Sequence, residues 1–289
     1  MSETFSPGLC VAVSQGRKSD NQDDCRALPR ASRNAVILAD GLGGLRHGGP
    51  AAQQAVAFMS DQISIATQRL DYPTVFAAAK QRIITYARSK DHTGEEAGHY
   101  ATTLLLVEET ADAVRVAYVG NGAIWHVRPQ AIREPERQLL PWSVSNYLNP
   151  HSKDGDGSEQ LYRLLSGNEL ASEAHPTVLD IAKDPVQGDI FVLCTDGIYS
   201  ADQPLLGQNE TGLWVRADAQ ALGLVRVLRE VLTHPCPTNS LLQEALVSYL
   251  QSIEKQLDDD ATIGVLVTGQ ALAFLSQSAT VPADATSDN

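Results

Sequence analysis

Apolar positions along the chain follow two spacings. "NAVILA" (34–39) and "GDIFVLCT" (188–195) contain continuous apolar runs bounded by turn formers, the pattern of strands covered on both faces. After Pro50 the spacing becomes helical through Ala52, Ala55, Met59, Ile63, Ala66 and Leu70, and after Pro73 a second helix is expected from Phe76, Ala79, Ile83 and Tyr86. "TTLLLV" (102–107), "AVRVAYV" (113–119) and "AIWHV" (123–127) read as strands separated by "EETAD" and "GNG", which predicts a meander of hairpins. Two further amphipathic helices are expected, one around Leu222, Val225, Leu228 and Leu232, the other through Leu242, Ala245, Tyr249, Leu250 and Ile253. "ATIGVLVTG" closes the pattern as a last strand.

Strands in sequence-adjacent clusters, with helices inserted as pairs, predict an α+β protein with mainly antiparallel sheets. No linker breaks the chain, so one domain over 8–270 is expected despite the 289-residue length. Residues 141–180, with Pro141, Pro150, Pro176 and "KDGDGS", lack periodicity and read as a surface flap. The small, polar stretch over 271–289 reads as a disordered tail. The start, "MSETFSPG", has neither the basic nor the apolar region of a signal peptide, and no apolar run has the length of a membrane span, so a cytoplasmic location is expected.

The formal net charge of -13 opposes a nucleic-acid or anionic-membrane partner and suits a protein that holds divalent cations. Cys10, Cys25, Cys194 and Cys236 are scattered and read as reduced thiols, outside any zinc or redox motif. The seven histidines show no metal-ligand spacing; His47 reads as a solvated loop residue near the Gly-rich turn, His126 as a surface or packing residue. Neither a dinucleotide-binding glycine motif nor a nucleotide-phosphate loop is present. "DGDGSE" (154–159) has Leu165 where a calcium loop needs its closing Glu.

The carboxylates are more informative. Asp40 closes one apolar strand, Asp196 closes another, and Asp259 with Asp260 opens a third, and none has Lys or Arg close by in sequence. If these ends converge, their charges repel unless a cation compensates them. With no His or Cys in the set, that cation should be hard and oxygen-loving, Mg²⁺ or Mn²⁺ rather than Zn²⁺. Gly41 and Gly197 would let the backbone turn sharply after each acid. Upstream, "QGRKSDNQDD" offers Arg17 as a bidentate phosphate clamp and Asp23 as a group that orients water.

The ordered set "RKSDNQD", "LADGLGG", "YATTLLL", "AYVGNG", "GDIFVLCTDGIYS" and "DDDATIGVLV" resembles the type 2C metal-dependent Ser/Thr protein phosphatases in their compact bacterial form, over about residues 8–268. The resemblance implies a four-layer αββα sandwich of two mainly antiparallel sheets flanked by helix pairs, with two Mn²⁺ or Mg²⁺ ions at one end. It implies that Asp40 bridges both ions, that the Gly41 carbonyl binds the second and that Asp196 and Asp259 complete the first. Arg17 would hold the substrate phosphate and Asp23 a water. The implied reaction is attack of a hydroxide shared by the two metals on phosphoserine or phosphothreonine of protein substrates, opposing a Ser/Thr kinase pathway. Two departures stand out. Asn121 occupies the place of an Asp that supports a third, weaker metal, which predicts that this site is impaired, and Leu42 stands where animal members carry a His. The alternative expectation is a pseudophosphatase, a metal-bound protein-binding module that has lost turnover.

Overall fold

The computed structural model describes residues 8–17, 20–30, 33–129, 142–155, 158–169, 174–198, 206–209, 212–215 and 219–279. Along the chain these form β1 (Leu9–Gln15), β2 (Asp23–Leu28), β3 (Ala35–Asp40), α1 (Gly48–Ile65), α2 (Tyr72–Arg88), α3 (Gly94–Gly98), β4 (Ala101–Thr102), β5 (Leu104–Glu109), β6 (Ala113–Val119) and β7 (Ala123–Pro129). There follow β8 (Trp142–Asn146), β9 (Ser152–Gly155), β10 (Ser158–Leu161), β11 (Leu165–Ser166), β12 (Thr177–Ala182), β13 (Ile190–Cys194), β14 (Leu206–Asn209) and β15 (Gly212–Val215). The last elements are α4 (Ala219–Leu232), α5 (Asn239–Ile253), β16 (Ala261–Val267) and α6 (Gly269–Ala279).

Period-two alternation inside the apolar runs builds the layers. In β3, Ala35, Ile37 and Ala39 pack toward α1 and α2, while Val36 and Leu38 point into the space between the sheets. In β13, Ile190, Val192 and Cys194 pack with α4 and α5, while Phe191 and Leu193 meet the other sheet. A run apolar at every position is therefore a strand with a hydrophobic layer on each side. The two five-stranded sheets, ordered β1-β16-β13-β7-β8 and β12-β6-β5-β3-β2, are antiparallel throughout. Helix pair, sheet, sheet, helix pair is the expected four-layer αββα order.

Two helix starts carry local signals. Pro73 sits at the entry of α2, and the Thr238 hydroxyl accepts from Leu241 N at the start of α5. Among the described residues, no helix is long and apolar enough to cross a membrane.

Three regions differ from the sequence expectation. The meander through 102–127 is broken: β5 and β6 pair, but β7 belongs to the other sheet. The intervening Gly120 and Gly122 have φ of 99° and 115°, a left-handed backbone that carries the chain across the sandwich instead of into a hairpin. Residues 141–180 hold strands, with β8 and β12 each edging a main sheet and β9–β10 forming a hairpin beside the site described below. These strands are short, and β12 is mostly half-covered, so the apolar pattern fades. The expected tail at 271 begins inside α6, because Ala271 and Leu275 are buried against the first sheet's core. The "RKSD" motif includes Lys18 and Ser19, which lie outside the described residues, as do 156–157 and 170–173 of the flap and 280–289 of the tail.

Gly264 of β16 marks where the sheets approach each other. A Cβ there would stand 2.3 Å from Val36 Cγ1 and 2.6 Å from Leu38 Cδ1. Gly264→Leu should destabilise the fold by about 1–3 kcal/mol through overpacking. Urea unfolding checks this, and an unchanged midpoint would mean the sheets separate without cost.

Candidate functional site

The sheet pairing brings the acidic strand ends together at one edge of the sandwich. β2 and β3 pair with Asp23 directly opposite Asp40. β13 and β16 pair with Cys194 opposite Ile263, which puts Asp196 just beyond one strand and Asp259 and Asp260 just before the other. A cavity of about 510 Å³ opens there, lined by Asp40, Asp196, Asp259, Asn121, Thr103, Leu42, Gly43 and, from the β9–β10 hairpin, Gln160 and Leu161. None of these lining residues is Lys or Arg. The three acids grouped from sequence are thus neighbours around one space, two from one sheet and one from the other.

The backbone of Asp40 is held from both sides. Its N–H donates to Thr103 Oγ1 at 3.0 Å, and its carbonyl accepts from Thr103 N and Thr102 Oγ1, both at 2.8 Å. With the main chain satisfied, the carboxyl is left to face the cavity, within hydrogen-bonding reach of the Asp23 and Asp196 carboxyls. Burial first, then the charges of Asp23 and Asp196, hold the Asp40 carboxyl well above the usual carboxylate range. Asp23, buried behind it, accepts from Thr195 Oγ1 at 2.9 Å and Thr262 Oγ1 at 2.6 Å. Burial pushes its carboxyl up to about 6, with the threonine hydrogen bonds working in the opposite direction.

Arg17 is exposed and does not line the cavity; its Nε donates to Leu257 O at 3.0 Å. What ties its segment to the site is Asp260, whose two oxygens accept from Arg17 N at 2.6 Å and Gln22 N at 2.8 Å. Gly41 follows Asp40 and donates to Gln22 O at 3.1 Å. The chain turns sharply after Asp196, where Ile198 N donates to Thr195 O at 3.1 Å; neither Gly41 nor Gly197 has a positive φ, and what excludes a side chain at both is close approach. A Cβ on Gly41 would lie 2.3 Å from Gly48 C, and one on Gly197 would lie 2.0 Å from Asp260 O.

The sequence reading passed over Thr102, Thr103, Thr195, Thr262 and the anchoring role of Asp260. A signal was present: in "YATT", "CTDG" and "DDDAT" a hydroxyl stands one or a few residues from an acid or strand end. Asn121 Nδ2 donates to Asp196 Oδ2 at 3.1 Å, so the amide acts on a carboxylate that the cavity shares. As a donor set the site offers carboxylates, a hydroxyl and amides, crowded and uncompensated by any lining cation. That set fits hard divalent ions and lacks the imidazoles and thiolates that softer metals select.

The raised carboxyls make a stability prediction for chelator-treated protein. Asp23 titrates near 3.9 in the unfolded chain and at about 6 when folded, so the folded state binds more protons between these values. Its contribution is fully present below about pH 4 and is lost as pH rises through 6, a change on the order of 3 kcal/mol for Asp23 alone. Thermal unfolding in chelator should show the loss between pH 4 and 7, and millimolar Mn²⁺ should reverse it at pH 7; the same trend with Mn²⁺ present would separate it from these carboxyls.

The chain is similar to known proteins in sequence family and in fold. A family model described as protein phosphatase 2C matches residues 14–251. Among curated proteins no sequence matches. Among solved structures, the S. agalactiae serine/threonine phosphatase superposes with a TM-score of 0.62 at 16% identity, covering 90% of this chain and 99% of that one. PppA, described as a key regulatory component of T6SS in Pseudomonas aeruginosa, gives 0.59 at 17% identity, with 91% and 99% covered. The catalytic domain of the serine threonine protein phosphatase PstP, in complex with two manganese ions, gives 0.55 at 16% identity, with 90% and 98% covered. The identities are low, and the shared feature is the fold. With the family model spanning most of the sequence, this chain belongs to the protein phosphatase 2C family.

Proposed function

We propose that this chain is a metal-dependent phosphatase acting on phosphoserine and phosphothreonine of protein substrates. The observation that carries the reading is the meeting of Asp40, Asp196 and Asp259 around one cavity with no basic side chain among the lining residues. Asp40, the Gly41 carbonyl, Asp196 and Asp259 would hold two Mn²⁺ or Mg²⁺ ions. When bound, such ions neutralise the carboxylates, acidify water and withdraw charge from phosphoryl oxygens.

The chain's own residues supply positioning. The Thr102 and Thr103 contacts fix the Asp40 backbone, and Thr195 and Thr262 fix Asp23, which would accept a hydrogen bond from a water in the cavity. Arg17 would bind the substrate phosphate after its guanidinium leaves the Leu257 carbonyl, and Asp260 keeps its backbone beside the site. Leu42 lines the cavity and has no acidic proton to give, so the leaving alkoxide would take its proton from water. No cysteine lines the cavity, and burial pushes the Cys10 and Cys25 thiols up to about 12, so a thiol nucleophile has no place in this scheme. Once cations neutralise its carboxylates, the open cavity bordered by the β9–β10 hairpin would suit a phosphorylated segment of a protein, and a Ser/Thr kinase pathway would supply it.

The Asn121–Asp196 hydrogen bond favours one second reading, a pseudophosphatase that retains metal and partner binding without turnover. Hydrolysis of p-nitrophenyl phosphate and a phosphothreonine peptide separates the two. Turnover should require Mn²⁺ or Mg²⁺, cease on chelation and fall roughly a hundredfold or more in Asp40→Asn. Metal-independent hydrolysis would contradict the mechanism, and tight Mn²⁺ binding with no hydrolysis would select the pseudophosphatase. Asn121→Asp would replace a neutral donor by a further carboxylate and should lower the Mn²⁺ concentration for half-maximal activity several-fold. An unchanged Mn²⁺ dependence would refute the assignment of Asn121 to an impaired third site.

A further inference from the structure

A second group of side chains of metal-ligating type stands where α1, α2 and α3 meet. His47 immediately precedes α1, His92 follows α2 and Glu96 lies in α3. One ligand atom from each lies within 4.8 Å of the other two, and His47 Nε2 is 3.2 Å from Glu96 Oε1. This contact is a hydrogen bond in the absence of an ion, and its length is close to the roughly 3.4 Å between two donors each about 2.1 Å from a zinc ion at a tetrahedral angle, so an ion could replace the shared proton with little movement.

The surroundings are those of an oriented ligand set. Tyr100, buried, places its hydroxyl 3.0 Å from His92 Nδ1 and stacks its ring on His47 at 4.4 Å. Holding one imidazole nitrogen turns the other toward a ligand, which is how outer hydrogen bonds orient metal-binding histidines. His92 is brought in by Asp91, whose φ of 62° is the only positive value at a non-glycine among the described residues, and His92 N then closes the end of α2 on Ala87 O at 3.1 Å. The His47 and His92 rings are nearly parallel, 5.0 Å apart and 24° from coplanar orientation, so sharing an ion requires them to splay.

We propose that His47, His92 and Glu96 form a transition-metal site of the zinc type, separate from the carboxylate cluster and independent of the phosphatase reading. Two imidazoles and one carboxylate leave a fourth, solvent-facing position and suit Zn²⁺, whereas the oxygen-only cluster suits Mg²⁺ or Mn²⁺. The site is mechanically connected to Asp40. His47 N donates to His99 O at 3.2 Å, Leu42 N to Ala101 O at 3.0 Å and Thr103 N to Asp40 O at 2.8 Å, so residues 40–47 and 99–103 lie side by side. An ion joining His47 to Glu96 and His92 would pin the far end of that pairing, and its binding would stiffen the segment that starts at Asp40.

Zn²⁺ titration by calorimetry into the full chain, with excess Mg²⁺ present to occupy oxygen sites, tests the assignment. One tight equivalent of Zn²⁺ is expected, weakened at least tenfold in His92→Ala and in Glu96→Gln and unchanged in Asp196→Asn. Circular dichroism verifies that His92→Ala is folded, and Glu96→Gln, at a half-exposed position and nearly isosteric, gives a result even where His92→Ala is not. Absence of a tight equivalent, or binding lost in Asp196→Asn and kept in Glu96→Gln, overturns the proposal.

Discussion

Repulsion among carboxylates that the sheets force together is the constraint on which the rest of the structure turns. Unit charges about 4 Å apart repel by about 4 kcal/mol at an effective dielectric of about 20. The Asp40 carboxyl has two such neighbours in Asp23 and Asp196 and is itself desolvated. A chain arranged only for stability would place apolar residues at these strand ends. The fold instead holds the acids in position by satisfying their surroundings, with threonines on the Asp40 backbone and the Asp23 carboxyl and Asp260 on two loop amides.

The layers make this possible. Hydrophobic cores lie outside each sheet and between the two, so β3, β13 and β16 are immobilised along their whole length and their ends are positioned by packing far from the cavity. Close approaches at Gly41–Gly48 and Gly197–Asp260 bring the loops in without side chains between them. The crossing turn at Gly120 and Gly122 delivers Asn121 to Asp196, which links the β6–β7 connection to the same edge.

Much of this was legible in the sequence because it is carried by pattern. The strands at 34–39 and 188–195 and the four long helices follow from apolar spacing, and the acids that line the cavity sit at the ends of apolar strands. What was not legible depends on pairing. Whether "GNG" makes a hairpin or crosses between sheets is decided by which strand β7 finds, and that information lies in β13, far along the chain. Of the weakly patterned strands of 142–182, β8, β11 and β12 owe their form to edges supplied by other segments. The roles of Thr195 and Thr262 required β13 and β16 to be side by side against β2, and Arg17, singled out for its chemistry, is turned toward Leu257 O rather than into the cavity. The sequence pattern makes His47 a solvated loop residue, whereas its contacts with Tyr100, His92 and Glu96 come from α3 and the loops on either side of it.

The central claim is that these strand ends are a cation site before they are anything else. Anomalous diffraction at the manganese edge, from crystals grown with Mn²⁺, tests it most directly. The account predicts two strong peaks within coordination distance of Asp40, one of them also reached by Asp196 and Asp259. Peaks confined to other surfaces, or a cavity without anomalous signal at saturating Mn²⁺, would contradict it.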